Sequence, residues 1–238
     1  MRTWAFVCAF LLALATAAGA TPEEFPTADG VVKITPVRHA SLTIEGGGML
    51  IQVDPWGASN YAAARPADLI LITHDHGDHL DEEAIAKLRK PTTIIAGPAT
   101  VHAKLPETVL LANGGARSFG KWNVEAIPAY NLKRVRPDGK PFHPRGEGNG
   151  YVLTFGGKRF YISGDTEGIP EMRALKNIEA AFVCMNLPYT MTPEEAAAAV
   201  RAFKPKVVYP YHSRNTDLAT FQKALAGSGV EVRIRNWY

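Results

Sequence analysis

After a Pro-containing lead-in, Thr21 to Gly30, the chain alternates apolar and polar residues in short runs, the period of a strand with one buried face. Val31 to Val37 and Ser41 to Ile44 carry that pattern in largely β-branched residues. Glu45-Gly46-Gly47-Gly48 then turns the chain, and Met49 to Val53 returns it to Asp54-Pro55, which predicts a β-hairpin. Asp68 to Thr73 (DLILIT) is instead almost wholly apolar, as in a strand buried on both faces, and it ends at His74. Asp81 to Arg89 opens with an Asp suited to capping, follows with acidic residues, spaces Ala84, Ile85 and Leu88 for one face, and stops before Pro91. That predicts a helix, with a further strand over Thr92 to Ala96.

The second half repeats the plan. Tyr151 to Phe155, a Gly156-Gly157 turn and Arg159 to Asp165 predict a second hairpin whose return strand also closes on an aspartate. Ala181 to Asn186 is a buried-type strand comparable to DLILIT. Thr192-Pro193-Glu194-Glu195 fits a capping box opening an alanine-rich helix to Phe203, and Lys206 to Tyr211 is a last buried strand ending at His212. The pattern predicts an α/β fold of two sheets packed face to face with helices outside.

Composition narrows the setting. With 46% apolar and 21% charged residues the chain suits a globular domain, and its net charge of +3, without a block of five like charges, lacks the footprint of a nucleic-acid binder. Residues 1–20 read as a signal peptide: Arg2 supplies a positive start, Trp4 to Ala18 carry no charge, and Ala18-Gly19-Ala20 suits cleavage. The apolar run falls short of the roughly 20 residues a spanning helix needs, so no stable membrane span is expected after cleavage. The expectation is an exported, periplasmic or secreted protein with one domain over 21–238. Cys8 lies in the leader, leaving Cys184 alone, so a metal must be held by His, Asp or Glu.

The candidate chemistry lies at His74-Asp75-His76-Gly77-Asp78-His79, directly after a buried strand and before a helix. His74 and His76, two apart, can converge on one cation, while Gly77 permits a turn that carries Asp78 and His79 toward a second. This HxHxDH motif resembles that of the metallo-β-lactamase superfamily, as do the SGDT at Ser163 to Thr166 and the strand ending at His212. The phrases ITHDHGDHLD, GDTEGIPEM and PYTMTPEEA look like the small branch related to ascorbate-6-phosphate lactonase. The resemblance implies an αββα four-layer sandwich of two mixed β-sheets. It also implies that His74 and His76 hold a first metal, that Asp78, His79 and His212 hold a second, and that Asp165 bridges them. Zinc suits these donors, with manganese or iron as alternatives.

The sequence departs from the superfamily at one point. A third histidine for the first metal normally precedes the second hairpin, and that segment here reads Ile127-Pro-Ala-Tyr130-Asn131-Leu-Lys133. His143, in the basic Gly- and Pro-rich loop Arg134 to Gly150, is one candidate for the place. The rival readings are a substrate contact, a solvated loop residue, or a first site completed by Asn131 or water. Asp54 can orient a metal-bound histidine or simply cap its turn, and His39 can approach the site or satisfy local backbone. His102 reads as structural, and Lys133, Arg145 and Tyr189 are candidates to meet an anionic substrate.

The resulting expectation is a hydrolase that acts on a small-molecule ester, lactone or phosphodiester through a metal-bridging hydroxide, with Asp78 orienting the nucleophile. A non-catalytic metal-binding module and a di-iron oxygen-reducing protein use the same ligands and stand as alternatives. Substrate identity and oligomeric state are not encoded in any motif.

Overall fold

Leu69, Ile70 and Leu71 are all fully buried because two separate layers of apolar side chains sandwich them. Leu69 and Leu71 join the core between the sheets, while Ile70 and Ile72 pack with Ala84, Ile85 and Leu88 of the first helix. The computed structural model describes residues 21–238. The expected signal peptide, residues 1–20 with Cys8, lies outside the described residues. No helix among the described residues is long and apolar enough to cross a membrane.

The first sheet holds β1 (Glu23–Thr27), β2 (Gly30–Arg38), β3 (Ser41–Gly46), β4 (Met49–Val53), β5 (Leu69–Leu71), β6 (Ile94–Gly97) and β7 (Val109–Leu110), neighbours in chain order. β1 to β4 pair antiparallel, and β5, β6 and β7 add in parallel. The second sheet holds β8 (Ala116–Phe119), β9 (Trp122–Ala129), β10 (Gly148–Phe155), β11 (Lys158–Ile162), β12 (Ile178–Cys184), β13 (Val207–Tyr211) and β14 (Glu231–Val232). It follows the same plan, antiparallel through β11 and then parallel. The Pro-containing lead-in forms β1, and Pro26 is tolerated there because β1 is an edge strand.

Aromatic side chains knit the sheets together. Trp122 stacks on Phe155 at 4.7 Å and donates its indole N–H to the Gly46 carbonyl of the opposite sheet (3.0 Å), so its one polar atom is satisfied in the core. Helices α1 (Glu82–Leu88) and α2 (Ala99–Lys104) flank the first sheet. Beside the second lie α3 (Pro170–Arg173), α4 (Pro193–Phe203) and α5 (Leu218–Ala224), giving the four-layer α/β sandwich. Asp81 caps α1 through Ala84 N–H (3.0 Å), and Thr192 and Glu195 form the reciprocal box that opens α4.

This topology positions the site. Because β4, β5, β11, β12 and β13 run parallel within their sheets, the segments leaving β4, β5, β11 and β13 emerge where parallel strands expose their carboxyl ends. Those segments carry Asp54, the His74 to His79 motif, Asp165 and His212.

Candidate metal centre

Asp54 and Thr73 organise the floor of the site. Asp54 is fully buried in a left-handed conformation (φ +43°). Its Oδ1 accepts the Thr73 main-chain N–H (2.7 Å), and its Oδ2 accepts the Thr73 hydroxyl (2.6 Å) and lies 2.8 Å from His79 Nδ1. An ionised carboxylate only accepts, so His79 Nδ1 carries a proton and Nε2 is the nitrogen that points inward. With its own proton committed to Asp54, the Thr73 hydroxyl oxygen accepts from His74 Nδ1 at 3.0 Å, fixing the same tautomer there.

Asn131 does this for His143. Its Nδ2 donates to the Tyr189 carbonyl (2.8 Å), which orients the carboxamide so that Oδ1 accepts the His143 main-chain N–H (2.6 Å) and lies 3.1 Å from His143 Nδ1. Both ends of Asn131 are engaged, so it orients an imidazole and does not join the converging donors. His76 is reversed: Nδ1 lies 3.1 Å from His74 Nε2, and Nε2 faces outward, 3.3 Å from Arg136 Nη2.

Asp165 enters from the other sheet. Gly164 before it has φ +59°, and a Cβ there would lie 2.5 Å from the Asn149 carbonyl, so only glycine allows this approach. Asp165 Oδ2 lies 3.3 Å from His143 Nε2, and Oδ1 lies 3.7 Å from His79 Nε2 and 3.6 Å from His212 Nε2. His212 Nε2 is in turn 3.1 Å from His79 Nε2 and 3.6 Å from Asp78 Oδ2. Asp78 Oδ2 also meets His39 Nε2 at 2.9 Å, and His39 Nδ1 lies 3.2 Å from the Tyr238 hydroxyl.

Three donor sets converge within 4.8 Å: His74 with His76 and His143, His74 with His79 and Asp165, and His39 with Asp78 and His212. The residues fit divalent cations. Imidazole ring nitrogens face one another at 3.1 Å in two places, and buried Asp165 Oδ1 has no hydrogen-bond donor. Leaving such an acceptor unmatched costs about 1–3 kcal/mol or more, which a cation between the rings offsets.

The electrostatics divide the histidines into two groups. Burial and neighbouring imidazoles, His79 for His74 and His143 for His76, push both rings below the ordinary histidine value, so they stay neutral at neutral pH. Burial alone would raise the Asp165 carboxyl, but the imidazoles of His212, His79 and His143 outweigh it and hold the group well below the carboxylate range. Burial likewise opposes ionisation of Asp78, and His212 and His39 more than compensate. His79 runs the other way: the carboxylates of Asp165 and Asp54 outweigh burial and lift it to about 9, so without a cation it holds a second proton that ligation must displace from Nε2.

A cavity of about 540 Å³ opens over this cluster, its wall including His76, Asp78, His143, Asp165 and His212. His39 is 1% exposed and belongs to this wall, although sequence alone favoured a role satisfying local backbone. His102 is apart from the site, its Nδ1 on the Thr108 carbonyl at 2.8 Å. Lys133 and Arg145 do not line the cavity because Glu195 and Glu171 pair with them, whereas Tyr189 does line it. Sequence reasoning missed Thr73, Asn186, Arg136 and Arg214. Thr73, adjacent to the first histidine, was the most accessible of these, since a hydroxyl at a buried strand end needs a partner.

Residues 33–212 match the family model described as the Beta-lactamase superfamily domain. The chain is 30% identical over 222 residues to a UPF0173 metal-dependent hydrolase of Pelotomaculum thermopropionicum, an alignment covering 85% of this chain and 96% of the relative. A crystal structure from Parabacteroides distasonis, described as a metal-dependent hydrolase, is 45% identical with a TM-score of 0.85, covering 91% of this chain and 98% of that one. A metallo hydrolase of Ignicoccus hospitalis shares the fold at a TM-score of 0.72 and 23% identity, covering 86% of this chain and 95% of the other.

Proposed function

The chain belongs to the β-lactamase superfamily and is a metal-dependent hydrolase, and on that premise we propose that it is exported and cleaves an ester, lactone or phosphodiester bond in a small molecule with two divalent cations, zinc first among them. The observation that carries the two-cation reading is Asp165, whose oxygens face His143 on one side and His79 and His212 on the other. In this reading His74, His76 and His143 would hold the first cation and Asp78, His79 and His212 the second, with Asp165 lying between the two sets. His143 thereby takes the place of the histidine missing before the second hairpin. Nitrogen and carboxylate donors without thiolate suit zinc, and manganese or iron remain chemically compatible.

When bound, the cations supply Lewis acidity and lower the pKa of water to roughly 7. The protein's part is to hold ligands and protons in place. Asp78, the solvent-facing carboxylate of the cluster, orients the attacking water from a position fixed by His39. Asp54, Thr73 and Asn131 hold a proton on the outer nitrogens of His79, His74 and His143, so the inner nitrogens are the ones turned toward the cations.

The test is metal analysis of protein purified without added metal, paired with a screen of esters, lactones and phosphodiesters; the resemblance to lactonases puts lactones first. About two cations per chain, loss of turnover on chelation and its return with zinc, manganese or iron are expected. Asp165→Asn should loosen both cations while leaving the circular dichroism spectrum unchanged. Tight metal without turnover on any member of the panel would favour a binding module. Export is tested by fractionating the cells that make the protein.

A further inference from the structure

The cavity above the histidines has two guanidinium groups at its mouth, Arg136 beside His76 and Arg214 two residues beyond His212. Other cations of the same region are already matched: Lys133 and Arg134 pair with Glu195, and Arg145 pairs with Glu171. Among the described residues Arg136 and Arg214 have no carboxylate partner. Arg136 donates to the Phe142 carbonyl (3.1 Å) and sits 3.3 Å from His76 Nε2.

That last contact is conditional. The His76 nitrogen that faces the other imidazoles is Nδ1, 3.1 Å from His74 Nε2. A neutral imidazole that ligates through one nitrogen carries its proton on the other. With Nδ1 ligating, Nε2 is a donor, and a guanidinium, itself only a donor, has nothing to bond there. Arg136 then has a free N–H edge at the cavity mouth. A neighbouring hollow of about 470 Å³ shares Asn186 and Arg214 with the first and is bordered by Leu187 and Met191, so a molecule held at Arg214 has room for a carbon skeleton.

We propose that this cavity selects small molecules carrying a carboxylate or phosphate group, which Arg136 and Arg214 bind at the mouth while the scissile bond reaches the histidine cluster. The second half of that statement rests on the hydrolase reading above; the anion recognition rests only on cation binding by His76, which the metal content of the protein checks separately. Guanidinium donors match both oxyanions in planar, two-pronged geometry, so the shared chemistry is an oxyanion, and the experiment separates its two forms.

The probes are benzoate, inorganic phosphate and neutral benzamide, titrated calorimetrically into the metal-loaded protein and into an Arg136→Ala/Arg214→Ala double variant of equal metal content. In parallel, kcat/KM is measured for an aryl ester bearing a carboxylate and for its neutral methyl-ester analogue. The expected result is that benzoate or phosphate binds more tightly than benzamide, that the double variant loses about 10-fold of that affinity, and that Arg136→Lys/Arg214→Lys recovers part of it. The preference for the anionic ester should fall toward one in the alanine variant. The tighter of the two anions identifies the group. Unchanged anion affinity in the double variant overturns the proposal even if both esters are hydrolysed. Lost affinity without turnover of either ester leaves anion recognition standing and removes the hydrolase reading instead.

Discussion

The Asp54 carboxylate meets His79 Nδ1 at 2.8 Å with both side chains wholly buried, so a charge with no access to water is committed to orienting one imidazole. Burying a carboxylate is costly unless its lone pairs are used, and Thr73 supplies the remaining donors from its main chain and hydroxyl. The same carboxylate therefore sets His79 directly and His74 through Thr73.

Asp54→Asn keeps the volume but replaces one acceptor with a donor, which opposes both the His79 N–H and the Thr73 hydroxyl. Metal affinity is expected to fall about 10- to 100-fold, as when other orienting partners of metal-bound histidines are removed. Competition with a chromophoric zinc chelator measures this. An affinity equal to that of the wild type would show that Asp54 serves stability alone.

What could be read from the sequence was local. DLILIT announced a strand buried on both faces, and HDHGDH announced clustered donors, because both signals lie within six consecutive residues. Asp54 was ambiguous because its task depends on β4 and β5 being parallel neighbours, with Asp54 N–H on the Leu71 carbonyl at 3.0 Å. His143 was ambiguous for a similar reason, since the loop must fold back before Asn131, 12 residues earlier, can hold it. The charges of Lys133 and Arg145 suggested substrate contacts only while Glu195 and Glu171 were not known to be their neighbours. β9 carries a readable alternation of its own, with Trp122, Val124 and Ala126 buried.

Acid should weaken the fold in a defined direction. Lys90 holds the Asp68 carboxyl below its ordinary value, and for Glu179 the pull of Lys158 and Lys206 outweighs the opposing effect of burial. A carboxyl whose folded pKa is depressed adds stability above its unfolded value of about 4, and that contribution is lost as pH falls through the folded value. With chelator present, the urea midpoint should drop between about pH 5 and pH 3, modestly because these pairs are partly exposed. Lys90→Met should flatten part of the drop. An identical slope in that variant would rule out the Asp68 pair as a contributor.

Stability should also respond at the start of α4. Thr192 accepts the Glu195 N–H at 3.2 Å and Glu195 returns a bond to the Thr192 N–H at 3.0 Å, anchoring a helix whose Ala196, Ala197, Val200 and Phe203 are buried. Thr192→Ala is expected to cost about 1 kcal/mol, or roughly 2–4 °C in Tm for a domain of this size. Thr192→Ser should retain most of it, and thermal melts of the three proteins side by side decide whether the hydroxyl is responsible.

His143 bears on whether the first cation site is complete. Its Nε2 joins the donors of His74 and His76, and its outer nitrogen is held by Asn131 as the outer nitrogen of His79 is held by Asp54. A loop residue that only met solvent would have no such support behind it and would not be 5% exposed. His143→Ala leaves His74 and His76 as the histidines of that set, so zinc content should fall from about two per chain toward one, with the second site still filled. Asn131→Ala should give a weaker version of the same loss, because the ring remains but its orientation is no longer enforced. If His143→Ala retains both cations at wild-type affinity while KM alone rises, His143 is a substrate contact and the first cation is completed by another group.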